Sequence, residues 1–317
     1  MTSVRNHPQT SIRESLERVN LGDKRSDLGI TVWPLLGPDL ETEHYILLDN
    51  AIQQGKVEVC ESDQATVDSV VVANRSSEPV FALHGQLLRG AKQNRAVNLT
   101  GIYAPESENT ILVACVEQGR WNAGHSFSDA SYVQSAAGRC EKLGSVLSDL
   151  EGAGEGRADQ GQVWSQQALK ERRLRCESST HDEIEIQERG VGSSMAEALV
   201  QWPIYDDQIG AILYANNSWA IEIFDRHSTY AGYHESLLKS FALEASEARI
   251  RGIGRANPNP RVLLDKLWSA TSTSQKRIGV GELISGRTSG HKHCSLEWLG
   301  SCVSLSASGF LSQASSE

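Results

Sequence analysis

The sequence predicts an α+β protein: a β-rich first half, folded as a sandwich or partly open barrel, followed by helices, a β-hairpin and a long amphipathic helix. Three observations lead there. Between Lys56 and Val116, strand-like stretches follow one another at short spacing with almost no helix among them. Beyond Trp121 apolar residues recur at three-and-four spacing, most clearly from Ser228 to Ala248. Between two alternating runs, the turn residues Ala215 to Ser218 carry asparagine-rich hairpin chemistry.

The totals bound the function. The chain has 317 residues, 39% hydrophobic and 22% charged, enough for one large domain or two ordinary ones with a packed core. A net charge of −10 and a pI near 5.4 argue against nucleic-acid partners, which need a basic stripe to displace counterions. They leave room for a local basic pocket. No apolar run approaches the roughly 18 residues of a bilayer span, so no membrane partner is expected. The N-terminal stretch lacks the apolar core of a secretory signal. The scattered cysteines Cys60, Cys115, Cys140, Cys176, Cys294 and Cys302 then read as reduced thiols of a cytoplasmic protein. His291 and His293 can share a strand face that Cys294 cannot; a solvated loop is expected there, with no metal site and no cofactor.

In order, Thr10 to Asn20 predicts a short helix with Ile12, Leu16 and Val19 on one face. Gly29 to Leu36 predicts a strand, with Pro34 marking an edge or bulge. Tyr45 to Leu48 leads into a helical stretch stopped by Gly55. Lys56 to Glu61 alternates as a strand, Ser69 to Ala73 is apolar on both faces, and Pro79 to Leu83, Gln93 to Tyr103 and Asn109 to Val116 complete the β-rich half. Helices are expected over Ser131 to Leu150, Gln162 to Cys176, Ser193 to Trp202 and Val262 to Trp268. The hairpin strands are Asp207 to Tyr214 and Trp219 to Phe224, and further strands are Lys276 to Ser285 and Ser295 to Leu305. The implied organisation is a helical extension over 1–28, one domain over 29–305 (β-rich half 29–124, α+β half 125–305, flexible insertion near 151–161) and a frayed tail over 306–317.

The candidate site lies between His84 and Trp121. Gly90, Lys92, Gln93, Asn94 and Arg95 crowd one strand end, and Glu117, Gln118, Gly119, Arg120 and Trp121 another. If the first run is extended, Gln93, Arg95, Val97 and Leu99 share a face. An arginine aimed at a core needs an acceptor, which predicts a partly buried pair of Glu117 with Arg95 or Arg120. Gly85, Gly90 and Gly119 permit positive φ and close backbone approach, as in cradling a phosphate or ribose. The run is no P-loop, because its spacing and hydroxyl are absent. His84 reads as a hydrogen-bonded strand residue rather than an acid–base group, and Ser178 to Asp182 as turn or cap chemistry rather than a triad.

The segments Gly85-Gln86-Leu87-Leu88, Gly90 to Arg95 and Val116 to Trp121 resemble the hallmark segments of a mostly prokaryotic domain family of uncharacterised activity. It is named for association with ADP-ribosylglycohydrolases and rhodanese/phosphatase-superfamily proteins. Gln162-Val163-Trp164, Ser179-Thr180 and the hairpin from Gln208 to Asp225 are similar to its later segments. The resemblance implies an α+β domain working near ADP-ribose or NAD-derived metabolites, and it brings no catalytic residues. At His84 the family pattern often carries an acid.

These readings converge on a domain that binds a phosphorylated or ribosylated small molecule, such as ADP-ribose or a related nucleotide. Lys92 with Arg95 or Arg120 would meet phosphate, Gln93 and Asn94 hydroxyls or a base, and Trp121 would stack. Gly85, Gln86, Gly90, Gln118 and Gly119 complete the expected ligand contacts. Glu117 would orient an arginine or, in a second reading, act as the acid–base residue of a hydrolase or transferase. A third reading is a non-catalytic scaffold for a partner enzyme of ADP-ribose metabolism.

Overall fold

A nine-stranded antiparallel sheet and a closed barrel organise the computed structural model, which describes residues 8–62, 67–121, 124–254, 258–288 and 290–311. The fold is α+β, as the pattern predicts. Helix α1 (Pro8–Glu17) is followed by β1 (Asn20–Leu21), β2 (Arg25–Asp27) and β3 (Ile30–Leu36). Pro34 lies beside a register shift, where Gln208 and Gly210 face Leu36 and Leu35, and not at a sheet edge. β1 and β2 flank β3 on one side and the hairpin strand at Gln208–Ala215 on the other. The two short strands break opposite Pro34, whose carbonyl accepts from Gly22 N at 2.8 Å, so no partner requires the N–H that proline lacks.

The barrel strands are β5 (Val57–Cys60), β6 (Ser69–Asn74), β8 (Gln86–Gly90), β9 (Arg95–Val97), β11 (Ser107–Cys115) and β12 (Ser126–Val133), closed in the order β11-β6-β5-β12-β8-β9. Val59, Val72, Leu88, Val97, Val113 and Phe127 fill one cluster with α2 (Leu48–Gln53) against it. β4 (Ile46–Leu47), β7 (Val80–Ala82) and β10 (Gly101–Tyr103) form a separate small sheet. The stretch from Gln93 to Tyr103 is therefore two strands: β9 stays in the barrel, while β10 leaves it to pair with β7. β12 also moves the expected boundary, since residues past 124 supply a barrel strand and the helix expected from Ser131 begins at Ala136.

After the barrel come α3 (Ala136–Glu151), α4 (Gln160–Leu174), α5 (Glu183–Val191) and α6 (Ser193–Val200). The hairpin of β13 (Gln208–Ala215) and β14 (Ser218–Phe224) turns at Asn216-Asn217, with Asn216 at φ 59°, as the asparagines predict. The loop expected to flex near 151–161 is tied down: Asn98 Nδ2 donates to Gly156 O, and Gly156 N to Asp149 Oδ2. α7 (His227–Arg251) carries the expected stripe of Tyr230, Tyr233, Leu237, Phe241 and Ala245, yet Ser236, Ser240, Glu244 and Glu247 are buried too. It is enclosed by sheet, barrel and helices rather than amphipathic at a surface. α1 and α8 (Pro260–Trp268) cover the opposite sheet face through Ile12, Leu263 and Leu267 against Trp219 and Ile221.

The chain ends in two hairpins, β15 (Ser274–Ile278) with β16 (Gly281–Arg287), and β17 (Lys292–Trp298) with β18 (Ser301–Phe310), each expected as a single strand. Tight turns at Gly279 and at Leu299-Gly300, all at positive φ, divide them. β18 pairs on both sides through Ser308, so the strand runs past Ser306, where the tail was expected to begin; residues 1–7 and 312–317 lie outside the described ones.

The solvated loop expected at His291 to Cys294 is instead the buried start of β17. His291 and His293 do share a face, with rings 5.6 Å apart, but both are buried. Neither ring nitrogen of His293 has a hydrogen-bond partner, and burial, then His291, push its pKa from 6.5 down to about 4. A histidine kept neutral when folded contributes stability that is complete above about pH 6.5 and is lost as the pH falls toward 4. The protein is expected to lose about 2 kcal/mol through this residue between about pH 7 and pH 5, and His293→Gln correspondingly less. Urea midpoints at the two pH values check this; parallel pH dependence in both proteins contradicts it.

Candidate functional site

Two loops at one barrel rim, the turn from β8 to β9 and the segment after β11, carry most of the expected site. Glu117 and Arg120 lock them together. Arg120 Nε and Nη2 donate to Glu117 Oε1 and Oε2 at 2.7 and 2.6 Å. The same guanidinium reaches Ala91 O at 2.9 Å, Gly90 O at 3.1 Å and Asn94 Oδ1 at 3.1 Å. The carboxylate of Glu117, 4% exposed, also accepts from Asn94 N and from Thr180 Oγ1. Burial pushes its pKa up, but the bonds from Arg120 and Asn94 outweigh burial and hold it below the ordinary glutamate value. A carboxylate so occupied orients an arginine and is a poor proton acceptor.

The expected pairing of Glu117 with an arginine is therefore made by Arg120. Arg95 has a different acid. It is fully buried on the barrel-facing side of β9 with Val97, 3.4 Å from Glu61 Oε1 and 3.2 Å from Gln93 Oε1. Leu99 lies beyond β9 and packs with the cluster around α7 instead. Gln93 also takes Cys115 Sγ at 3.2 Å, and Asn94 Nδ2 donates to Asp182 Oδ1 at 3.0 Å. Asp182 caps α5 by accepting from Ile184 N, so the run from Ser178 serves as cap chemistry and as the outer wall of the rim.

The glycines approach the protein's own backbone closely. A side chain at Gly119 would meet Thr180 Cα at 2.9 Å, and one at Gly90 (φ +122°) would meet Ser126 O at 3.0 Å. Gly85 and Gln86 sit at the far end of β8. Gly85 (φ +82°) lies on the Arg139 side chain, and buried Gln86 binds Asp49, Leu83 N and Tyr233. His84 is buried beside Arg139, whose Nη2 lies 2.8 Å from His84 Nε2. Burial, Arg139 and Lys142 hold the imidazole neutral.

Among the described residues, Lys92, Gln118 and Trp121 are left open at the rim, and Gly119 is exposed but donates its N–H to Thr180 O. Trp121 is 57% exposed, and the Lys92 ammonium stands 5.0 Å from its ring centre. Sequence reading missed Glu61, Thr180 and Asp182 as members of the rim. Asp182 was visible as a cap, but only the fold brings the three to Arg95, Glu117 and Asn94.

The fold and rim define a class: an α+β domain in which a closed barrel with an ion-paired rim packs beside a helix-covered antiparallel sheet. The chain belongs to the ARG and Rhodanese-Phosphatase-superfamily-associated Protein (ARPP-1) domain family, whose model matches residues 18–308. No curated protein and no solved structure matches it. No helix among the described residues is long and apolar enough to cross a membrane.

Proposed function

We propose that this domain binds a phosphorylated or ribosylated small molecule, such as an ADP-ribose derivative, at the barrel rim, and that Glu117 positions Arg120 instead of moving protons. The observation that carries this reading is the Lys92 ammonium over the exposed Trp121 ring, beside Gln118, on loops held fixed by the Glu117–Arg120 clamp. A ring face stacks a base, an ammonium meets phosphate, and rigid loops lower the ordering cost of binding. The family's association with ARG and rhodanese-phosphatase proteins supports the same metabolic setting. Arg95, enclosed in the barrel, and Gln93, Asn94, Gly90 and Arg120, engaged with each other, act as support rather than contact.

ADP-ribose, NAD and inorganic phosphate are to be compared by thermal shift on the full chain. ADP-ribose at about 100-fold excess over its Kd is expected to stabilise the protein by about 3 kcal/mol. Lys92→Ala with Trp121→Ala should remove that shift. No response to any of the three overturns the reading and leaves the rim as a face for a partner enzyme. Turnover of an ADP-ribose derivative that Glu117→Gln abolishes, with binding intact, would make Glu117 the acid–base group instead.

A further inference from the structure

A cavity of about 930 Å³ opens on the helix-covered face of the large sheet, bounded by the β2–β3 hairpin, the start of α6, the end of α7 and the β13–β14 turn. None of the described residues that line it belongs to the rim. Its volume lies within the range of small-molecule sites, about 300–1,000 Å³. Its chemistry runs against that of the chain. The sequence carries 40 acidic residues against 30 Lys and Arg, yet no Asp or Glu is among the described residues that line the cavity, whereas Lys24 and Arg249 both do.

The third polar wall is the first turn of α6. Ser193 and Ser194 line the cavity, and the helix starts after Gly192 with no side chain capping it. First-turn amides without a side-chain cap offer hydrogen-bond donors to an anion at that end. The remaining walls include Ile30, Met195 and Ala248, an apolar surface suited to a base or other flat group. Gly29 (φ +86°) keeps the hairpin close against α7; a side chain there would meet Ala245 Cβ at 2.9 Å.

We propose that this cavity is a second ligand site, independent of the rim, for a phosphorylated molecule of nucleotide size: phosphate at Lys24, Arg249 and the α6 start, and the uncharged part against Ile30 and Met195. The test is calorimetric titration of AMP, inorganic phosphate and adenosine into the full chain and into three full-length variants. AMP is expected to bind, phosphate more weakly, and adenosine at least about tenfold more weakly than AMP, the discrimination that one well-placed phosphate contact supplies. Lys24→Ala with Arg249→Ala, both at exposed positions, should weaken AMP at least about tenfold. Ser193→Asp should do the same while keeping the fold, since a carboxylate suits a helix start but repels phosphate. Lys92→Ala removes any contribution of the rim and should leave intact the component of AMP binding that depends on Lys24 and Arg249. Absence of AMP binding, unchanged affinity in both cavity variants, or loss in Lys92→Ala alone overturns the site; the last outcome would move the ligand to the rim.

Discussion

Replacing Arg139 by Met is expected to cost about 3–5 kcal/mol of folding stability, the penalty of stranding a buried charge. Arg139 joins the barrel to the large sheet. Its Nη1 donates to Glu222 Oε1 at 2.6 Å and its Nε to the His84 carbonyl at 3.0 Å. Both side chains of the ion pair are at most 5% exposed. Without the guanidinium, Glu222 keeps the Ser306 hydroxyl as its side-chain partner among the described residues, and the His84 carbonyl loses the Arg139 donor. Methionine fills similar space, so the loss reads out the charge and its hydrogen bonds rather than a cavity. Removing both charges with Arg139→Met and Glu222→Leu should recover part of it, because no unpaired ion then remains. Urea denaturation measures the three proteins; a loss under about 1 kcal/mol in the single variant contradicts the assignment.

Glu117→Ala is expected to destabilise the protein by about 2–3 kcal/mol, less than Arg139→Met because Arg120 is 23% exposed and partly rehydrates. The carboxylate is where both rim loops and the Thr180 segment meet, so amide exchange at Asn94 should quicken along with the global loss. Glu117→Gln keeps two heavy-atom positions and should lose less. Equal stability in wild type and Glu117→Ala would mean that the clamp holds nothing in place.

What could be read from the sequence was what neighbouring residues decide. Lys56 to Glu61 alternates cleanly and forms β5, and Asn216-Asn217 turns a hairpin, because side-chain alternation and turn preference act within a few residues. An arginine partner for Glu117 could be expected, but the sequence left Arg95 and Arg120 both open, and the fold gives Glu117 to Arg120. Glu61 reaches Arg95 from 34 residues away across the barrel, and the alternation that aimed Arg95 inward did not name its acid. β12 was missed because a register shift between Asp129 and Val133, with Ser131 at φ 52°, breaks its period. The first residues of β17 were hidden by their composition, since Lys292 and His293 look solvated until β16 and β18 pair with them and α3 lies against Lys292. α5 opens as Glu-Ile-Glu-Ile, a strand-like alternation overridden by the Asp182 cap and by packing of Ile184 and Ile186. The cavity draws its walls from four separate segments, and no local pattern marks such a convergence.

The claim on which the rim rests is that Glu117 and Arg120 act on each other. A double-mutant cycle of Glu117→Gln, Arg120→Met and the pair, followed by urea denaturation, isolates that interaction. A coupling of at least about 1.5 kcal/mol is expected for a largely desolvated, bidentate pair. Additive losses, with coupling below about 0.5 kcal/mol, would show a carboxylate independent of its arginine and contradict the clamp.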